Sequence, residues 1–265
     1  MEEAQIMWKL YDELIAAVPE DAVVEECQAG LSWFLVRSIG TGVSMRPGET
    51  DSPVRSAGRI AGMKLRELAG WIKSWNNYEA AMGLAAINSA LNAQSSVAKN
   101  CGALLDESKT QDVFTCLHDE LRGKRVAVIG HFHNLERLAG ICELSILERK
   151  PQPGDLPDPA CEYILGEQDV VIMTATTLIN KTMPRLLELS CNARIVIAGP
   201  STPLHPLMFN HGVDLLGGLI VDDQPSVWRA VAEGGQKALF NQGGRMVKVA
   251  RDPALFGLPA ALERL

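Results

Sequence analysis

Arg125 to Asn134, RVAVIGHFHN, constrains the fold more than any other stretch of the chain. Val126, Ala127, Val128 and Ile129 form a short unbroken apolar run, as suits a buried parallel strand, and Gly130 stops it. A polar turn follows, then a helix-like run from Leu135 to Gly140. In an open α/β sheet, ligands bind beyond the carboxyl ends of the strands, so a strand, a glycine and a helix start in this order place a pocket at Gly130.

The layout repeats downstream. Glu143 to Leu147 (ELSIL), Asp169 to Met173 (DVVIM) and Ala193 to Ala198 (ARIVIA) read as strands, with weaker strands at Asp214 to Val221 and Met246 to Val249. A helix at Met183 to Leu189 starts behind Thr182 with Pro184 in its first turn, and another at Pro203 to Phe209 starts behind Ser201 or Thr202 and ends near Gly212. Val113, Phe114, Leu117 and Leu121 form a helix face before the first strand. Short apolar strands alternating with helices imply parallel βαβ units with right-handed crossovers, hence an α/β, doubly wound, Rossmann-like second domain.

The first half reads differently. Trp8, Leu10, Tyr11, Leu14, Ile15 and Val18 mark an amphipathic helix ended by Pro19. Val23 to Ala29 and Leu31 to Ser38 are rich in β-formers and flank Gly30, which suggests two strands in a hairpin or bulged meander. A Gly, Ser, Pro and Thr-rich loop is expected from Gly40 to Pro53, then helical pattern from Arg55 through Ile72, a break at Asn76 and Asn77, and a helix from Ala80 to Leu91. Ala81, Gly83, Ala85 and Ala86 let that helix approach its neighbours closely. Asn92 to Thr110 reads as a connector. The expected domains are therefore a smaller α+β domain over residues 1–100 and the Rossmann-like domain over 101–265.

A chain of 265 residues is long enough for two cores. Its net charge of -7 argues against nucleic acid or an anionic membrane as the main partner, since both call for clustered Lys and Arg. A small-molecule ligand or another protein fits better, and a homo-oligomer is left open. The start, MEEAQIMWKLYDEL, lacks the basic region and apolar block of a signal peptide, and no apolar run is long enough to span a bilayer. A cytoplasmic setting is expected, with Cys27, Cys101, Cys116, Cys142, Cys161 and Cys191 reduced and unpaired by any CxxC spacing.

Three strand ends carry small or polar residues: Gly130, His131 and Asn134; Thr174, Thr176, Thr177 and Asn180; and Pro200, Ser201 and Thr202. In a parallel sheet these turns converge along one edge, where hydroxyls, amides and helix N-termini line a crevice. Taken singly, each Ser or Thr reads first as an N-cap; three such turns together carry the site signal. No GxGxxG is present, but Glu148 falls eighteen residues after Gly130, near the spacing at which an acid bonds a ribose hydroxyl, so a nucleoside-like ligand such as S-adenosylmethionine is permitted. His131 and His133 form an HxH that offers two imidazoles to a divalent metal, or a polar pocket rim. No HExxH, P-loop or GxSxG occurs. The proline-rich run from Lys150 to Tyr163 is pre-ordered and reads as a pocket wall or a plain connection, with Asp155, Asp158 and Glu162 as polar contacts. Asn76 and Glu79 sit at a helix start, where an N-cap with an acid in the first turn is the simple reading.

Several runs together resemble a family known as the "putative heavy-metal chelation" domain: LYDEL at 10–14, AGMKLRELAGWIKSWNNYEAAMGLAAINSALN at 61–92, VAVIGHFHNLERL at 126–138, ERKPQPGDLPDPACEYIL at 148–165, DVVIMTATTLINKTMPRLLEL at 169–189 and AGPSTPLHPLMF at 198–209. The resemblance implies a first domain like the enolase N-terminal domain, a Rossmann-like second domain similar to methyltransferases, and a cleft between them. It implies chelation of heavy metals, or the making or processing of a chelating, pterin-like or flavin-like small molecule. It also places Asn76 to Glu79 on the cleft. A less basic residue than His133 is expected from the family pattern, which weakens an HxH metal site.

Three functions follow as expectations. The first is an enzyme of lyase, hydrolase or transferase type that condenses or hydrolyses a small molecule in the cleft, with Glu79 as general acid or base, Asn76 beside it, and the strand-end hydroxyls holding an anionic or carbonyl group. The second is a module that binds a heavy metal or metal chelate without turnover. The third, an S-adenosylmethionine-dependent methyltransferase, rests on the fold pattern and Glu148 alone.

Overall fold

The computed structural model describes residues 2–48, 54, 56–101, 105–106, 112–133 and 135–252. The chain opens with α1 (Glu2–Ala16), whose Leu10, Tyr11 and Leu14 are buried. Three antiparallel strands follow, β1 (Glu26–Ala29), β2 (Trp33–Arg37) and β3 (Thr41–Met45), in that spatial order. Then come α2 (Leu65–Gly70), which runs on into a 3-10 turn at Trp71–Lys73, α3 (Asn77–Leu91) and α4 (Gln94–Cys101).

A second, eight-stranded sheet is built from β4 (Leu105–Asp106), β5 (Arg125–Ile129), β6 (Glu143–Glu148), β7 (Leu156–Pro157), β8 (Val170–Thr174), β9 (Arg194–Ala198), β10 (Val213–Val221) and β11 (Gly244–Ala250). Its order is β4-β11-β10-β9-β8-β5-β6-β7. Strands β5 to β10 run parallel, and β11 is antiparallel to β10 and β4. The helices of this half are α5 (Val113–Leu121), α6 (Cys161–Ile164), α7 (Met183–Leu189), α8 (Gln224–Ala232) and α9 (Ala238–Asn241). This is the Rossmann-like α/β architecture, with the small antiparallel sheet ahead of it.

Side-chain alternation shows why the central strands read as continuous apolar runs. Ala127, Ile129, Val171, Met173, Ile195 and Ile197 enter one core, while Val126, Val128, Val170, Ile172, Val196 and Ala198 enter the core on the opposite face. Both faces are covered, so no polar alternation appears. The first of these cores also takes Leu14, Phe34, Leu84 and Ile87 from the first half. A further cluster joins Trp33, Leu35 and Val43 to Leu219, Val227, Val231 and Leu239. The chain's two halves thus share apolar cores.

Several local expectations are corrected. Part of the expected loop Gly40 to Pro53 is strand β3; residues 49–53 lie outside the described residues. The helix expected from Arg55 is confined to α2 and its 3-10 extension, because the preceding segment is drawn into bridging Val23 through Lys64. The expected connector from Asn92 carries α4 and β4. The helices expected after β5 and at Pro203 to Phe209 are 3-10 turns, Leu135–Leu138 and Pro206–His211, the latter stopped by Gly212 with φ 86°. Helix α8 was signalled by Asp223, which caps Ser226, with Pro225 in the first turn.

Candidate functional site

The strand order reverses at β5: β6 lies on one side of it and β8 on the other. Beyond the carboxyl ends of these two strands the turns part and leave a crevice. A cavity of about 280 Å³ sits there, lined by Gly130, His131, His133, Glu148, Thr174, Thr176, Gly199, Pro200 and Ser201 at the strand ends. Phe132, Trp33 and Met45, with Gln236, Lys237 and Phe240, complete the wall.

Local chemistry explains the shape. Gly130 has φ 96°, and a Cβ there would lie 2.9 Å from Thr174 Cγ2, so only glycine lets the turn after β5 pass this close to β8. Thr174 Oγ1 and Thr176 Oγ1 lie 3.1 Å apart, a hydroxyl pair on the cavity wall. Met45 N donates to Ser201 Oγ at 2.8 Å, which ties the end of β3 to the turn after β9. Asn88 on α3 and Asn92, the C-cap residue of that helix, hold that turn from behind. Asn88 Nδ2 donates to Val43 O and Ser201 O, both at 2.9 Å; Asn92 Nδ2 donates to Thr202 O and Leu219 O, while its Oδ1 accepts from Leu204 N.

Glu148 is engaged by backbone. Its Oε2 accepts from His131 N and its Oε1 from Arg149 N and Lys150 N, so the carboxylate closes the turns after β5 and β6. His131 Nδ1 lies 2.9 Å from Asp155 Oδ2, which also accepts from Gln152 N. Burial pushes the Asp155 carboxyl up, but the Gln152 N–H and the His131 ring outweigh it and hold it below the usual carboxylate range. An ionised carboxylate only accepts, so the ring proton sits on Nδ1 and Nε2 is left for other partners. The proline-rich loop therefore positions His131 through Asp155. Glu162 instead pairs with Arg185.

Thr177, Asn180, Thr202, Asn76 and Glu79 do not line this cavity. Thr177 donates from Oγ1 to Thr174 O, and Asn180 Oδ1 accepts from Thr182 N and Thr182 Oγ1. Thr202 is buried, and Asn134 lies outside the described residues. Asn76 caps α3, accepting from Tyr78 N and Glu79 N. Glu79 is buried and accepts from Ser74 Oγ at 2.6 Å, and neither residue lines the cavity. Lys181, with φ 66°, donates from Nζ to Ser74 O and to Ile179 O, and burial pushes its ammonium down to about 8. Its tie to Ser74, together with Tyr11 OH donating to Leu178 O, binds the first half to the turn after β8. The tethering asparagines were visible in AINSALN as two amides at i and i+4 on an apolar helix. Trp33, Gln236, Lys237 and Phe240 carried no local signal.

The donor set does not fit a heavy metal held by thiolates. No cysteine lines the cavity, and among the described residues no group of three or more His, Cys, Asp or Glu side chains is placed to hold a metal ion. Burial pushes the Cys27 thiol up to about 11 and the Cys101 and Cys161 thiols up to about 12, so these stay protonated at neutral pH. His131 and His133 are the imidazoles at the wall, and one nitrogen of the first is taken by Asp155.

Residues 112–250 match the DUF364 family and residues 11–91 the DUF4213 family, both described as "Putative heavy-metal chelation". A similar solved structure is a protein with unknown function from the DUF364 family of Desulfitobacterium hafniense DCB-2, 42% identical, with a TM-score of 0.85 over 93% of this chain and 100% of that one. A DUF364 protein with unknown function from Pyrococcus horikoshii is 23% identical, with a TM-score of 0.76 over 92% of this chain and 99% of that one, and supports the fold alone. No curated protein matches. With the DUF364 match spanning more than half its length and a 42% identical relative aligned along nearly all of it, this chain belongs to the DUF364 family.

Proposed function

We propose that the chain binds a small organic molecule in the cavity between β5 and β8 and acts on it there. The observation that carries this is the cavity itself: it lies at the strand-order reversal and draws its wall from both halves of the chain. Trp33, Phe132 and Phe240 give the wall aromatic surface, and the Thr174–Thr176 hydroxyl pair, one proton of which lies between the two oxygens, has one left to donate to a carbonyl or anionic oxygen. Glu79 is buried off this wall, so His131, fixed by Asp155 with Nε2 available, is the better placed general base or acid. Glu148 already accepts three backbone N–H groups, which favours a structural role for it over a bond to the ribose of S-adenosylmethionine.

Native mass spectrometry of protein purified without chelators, with elemental analysis of the same sample, tests the reading. The expected result is an organic mass that leaves on denaturation and is missing from a Thr176→Tyr variant, whose ring fills the cavity. A stoichiometric metal without organic mass, lost when His131 and His133 are both replaced by Ala, overturns it in favour of direct metal binding.

A further inference from the structure

We propose that the cavity continues into a second chamber that receives an acidic group of the same ligand, so that the site takes an aromatic acid. The inference rests on the binding reading above. A neighbouring cavity of about 520 Å³ shares Phe132, His133, Gly199, Pro200, Lys237 and Phe240 with the first. Its far side is formed by the start of α5 and by β11. Bare backbone at Gly217 helps to keep that side close: a Cβ there would lie 2.3 Å from Val113 Cγ2.

Among the residues that the two cavities share, the charged side chain is the cation Lys237, although the chain as a whole carries -7. Lys237 borders both chambers, is exposed, and has no ion-pair partner among the described residues. His133 lies on the same shared wall. The two acids on these walls are engaged. Glu148 accepts three backbone N–H groups; Asp112 accepts from Thr115 N and Oγ1 and pairs with Arg137 at 3.3 Å. Asp112 thereby caps the N-terminus of α5, so its carboxylate is spent on that helix end and on Arg137. An aromatic ring in the first cavity, against the wall that Trp33, Phe132 and Phe240 form, would thus carry its carboxylate, phosphate or sulfonate past Lys237.

Paired fluorescent probes separate this inference from the reading beneath it. 8-Anilinonaphthalene-1-sulfonate is an aromatic acid, and N-phenyl-1-naphthylamine is its uncharged counterpart. Both are expected to bind one per chain, the acid more tightly. Lys237→Gln should weaken the acid about tenfold more than it weakens the neutral probe, with Lys237→Arg restoring the difference. Asn241→Trp, which narrows the second chamber alone, should also weaken the acid selectively. If the neutral probe binds while neither Lys237→Gln nor Asn241→Trp moves the acid, the second chamber is not used and the inference fails. If neither probe binds the wild-type protein, the reading of the first cavity fails with it.

Discussion

At the scale of single residues, the turns around the cavity are held by polar groups that stand behind its wall. Asn92 is buried and makes three hydrogen bonds to Thr202 O, Leu219 O and Leu204 N, so removing its amide leaves three backbone groups without partners in a dry environment. Asn92→Ala should therefore cost about 3 kcal/mol in urea denaturation and loosen ligand binding at Ser201. A loss under about 1 kcal/mol would show that the turn after β9 holds itself. The strand-end residues were legible because a glycine or hydroxyl after an apolar run has few uses. Gly130, Thr174, Thr176, Pro200 and Ser201 do line the cavity, whereas Thr177 and Asn180 satisfy nearby backbone and side-chain donors or acceptors instead. The roles of Asn88, Asn92 and Asp155 depend on partners far away in sequence, and residue type alone does not reveal them.

At the scale of elements, small residues set the spacing between helix and sheet. A Cβ on Gly42 would lie 2.0 Å from Ala85 O and 2.1 Å from Ser89 N, so β3 touches the backbone of α3 directly. On another side of the same helix, a Cβ on Gly83 would lie 2.2 Å from Ile72 N. The small residues of α3 announced close packing, but those of β3 (TGVSM) resembled a loop, since glycine and serine weaken strand patterns even when a neighbouring helix requires them. Gly42→Ala should push α3 off the sheet and destabilise the fold by about 2–3 kcal/mol. Gly70 is the control: it has helical backbone geometry with nothing within 4 Å of a Cβ, so Gly70→Ala should be neutral or stabilising by up to about 1 kcal/mol. Equal effects of the two substitutions on the thermal midpoint would refute this account of the α3–β3 contact.

At the scale of the whole molecule, the sequence pattern reveals an α/β sheet because each central strand is apolar on both faces, while the way the halves meet is written in residues far apart in the chain. Trp33 Nε1 donates to Gln236 O, and its ring meets Phe240 edge-on with centroids 6.3 Å apart, although two hundred residues separate them. Phe34, Leu84 and Ile87 enter the same core as Met173, Ile197 and Leu204, and Trp33, Leu35 and Val43 pack with Val227 and Val231. Exposing either half alone would uncover these clusters, and each fully buried large side chain is worth about 1.5–3 kcal/mol, so we expect the halves to unfold together. The tryptophans supply the measurement. Trp8, Trp33, Trp71 and Trp75 lie in the first half, with Trp228 alone in the second, so fluorescence reports chiefly on the small sheet and its helices. Far-ultraviolet circular dichroism weights both halves, the eight-stranded sheet included. Under urea the two signals should give coincident midpoints and a single transition. Separate midpoints would mean that the shared cores are weak couplings between independent domains, and that the cavity between β5 and β8 can open without unfolding the sheet that carries it.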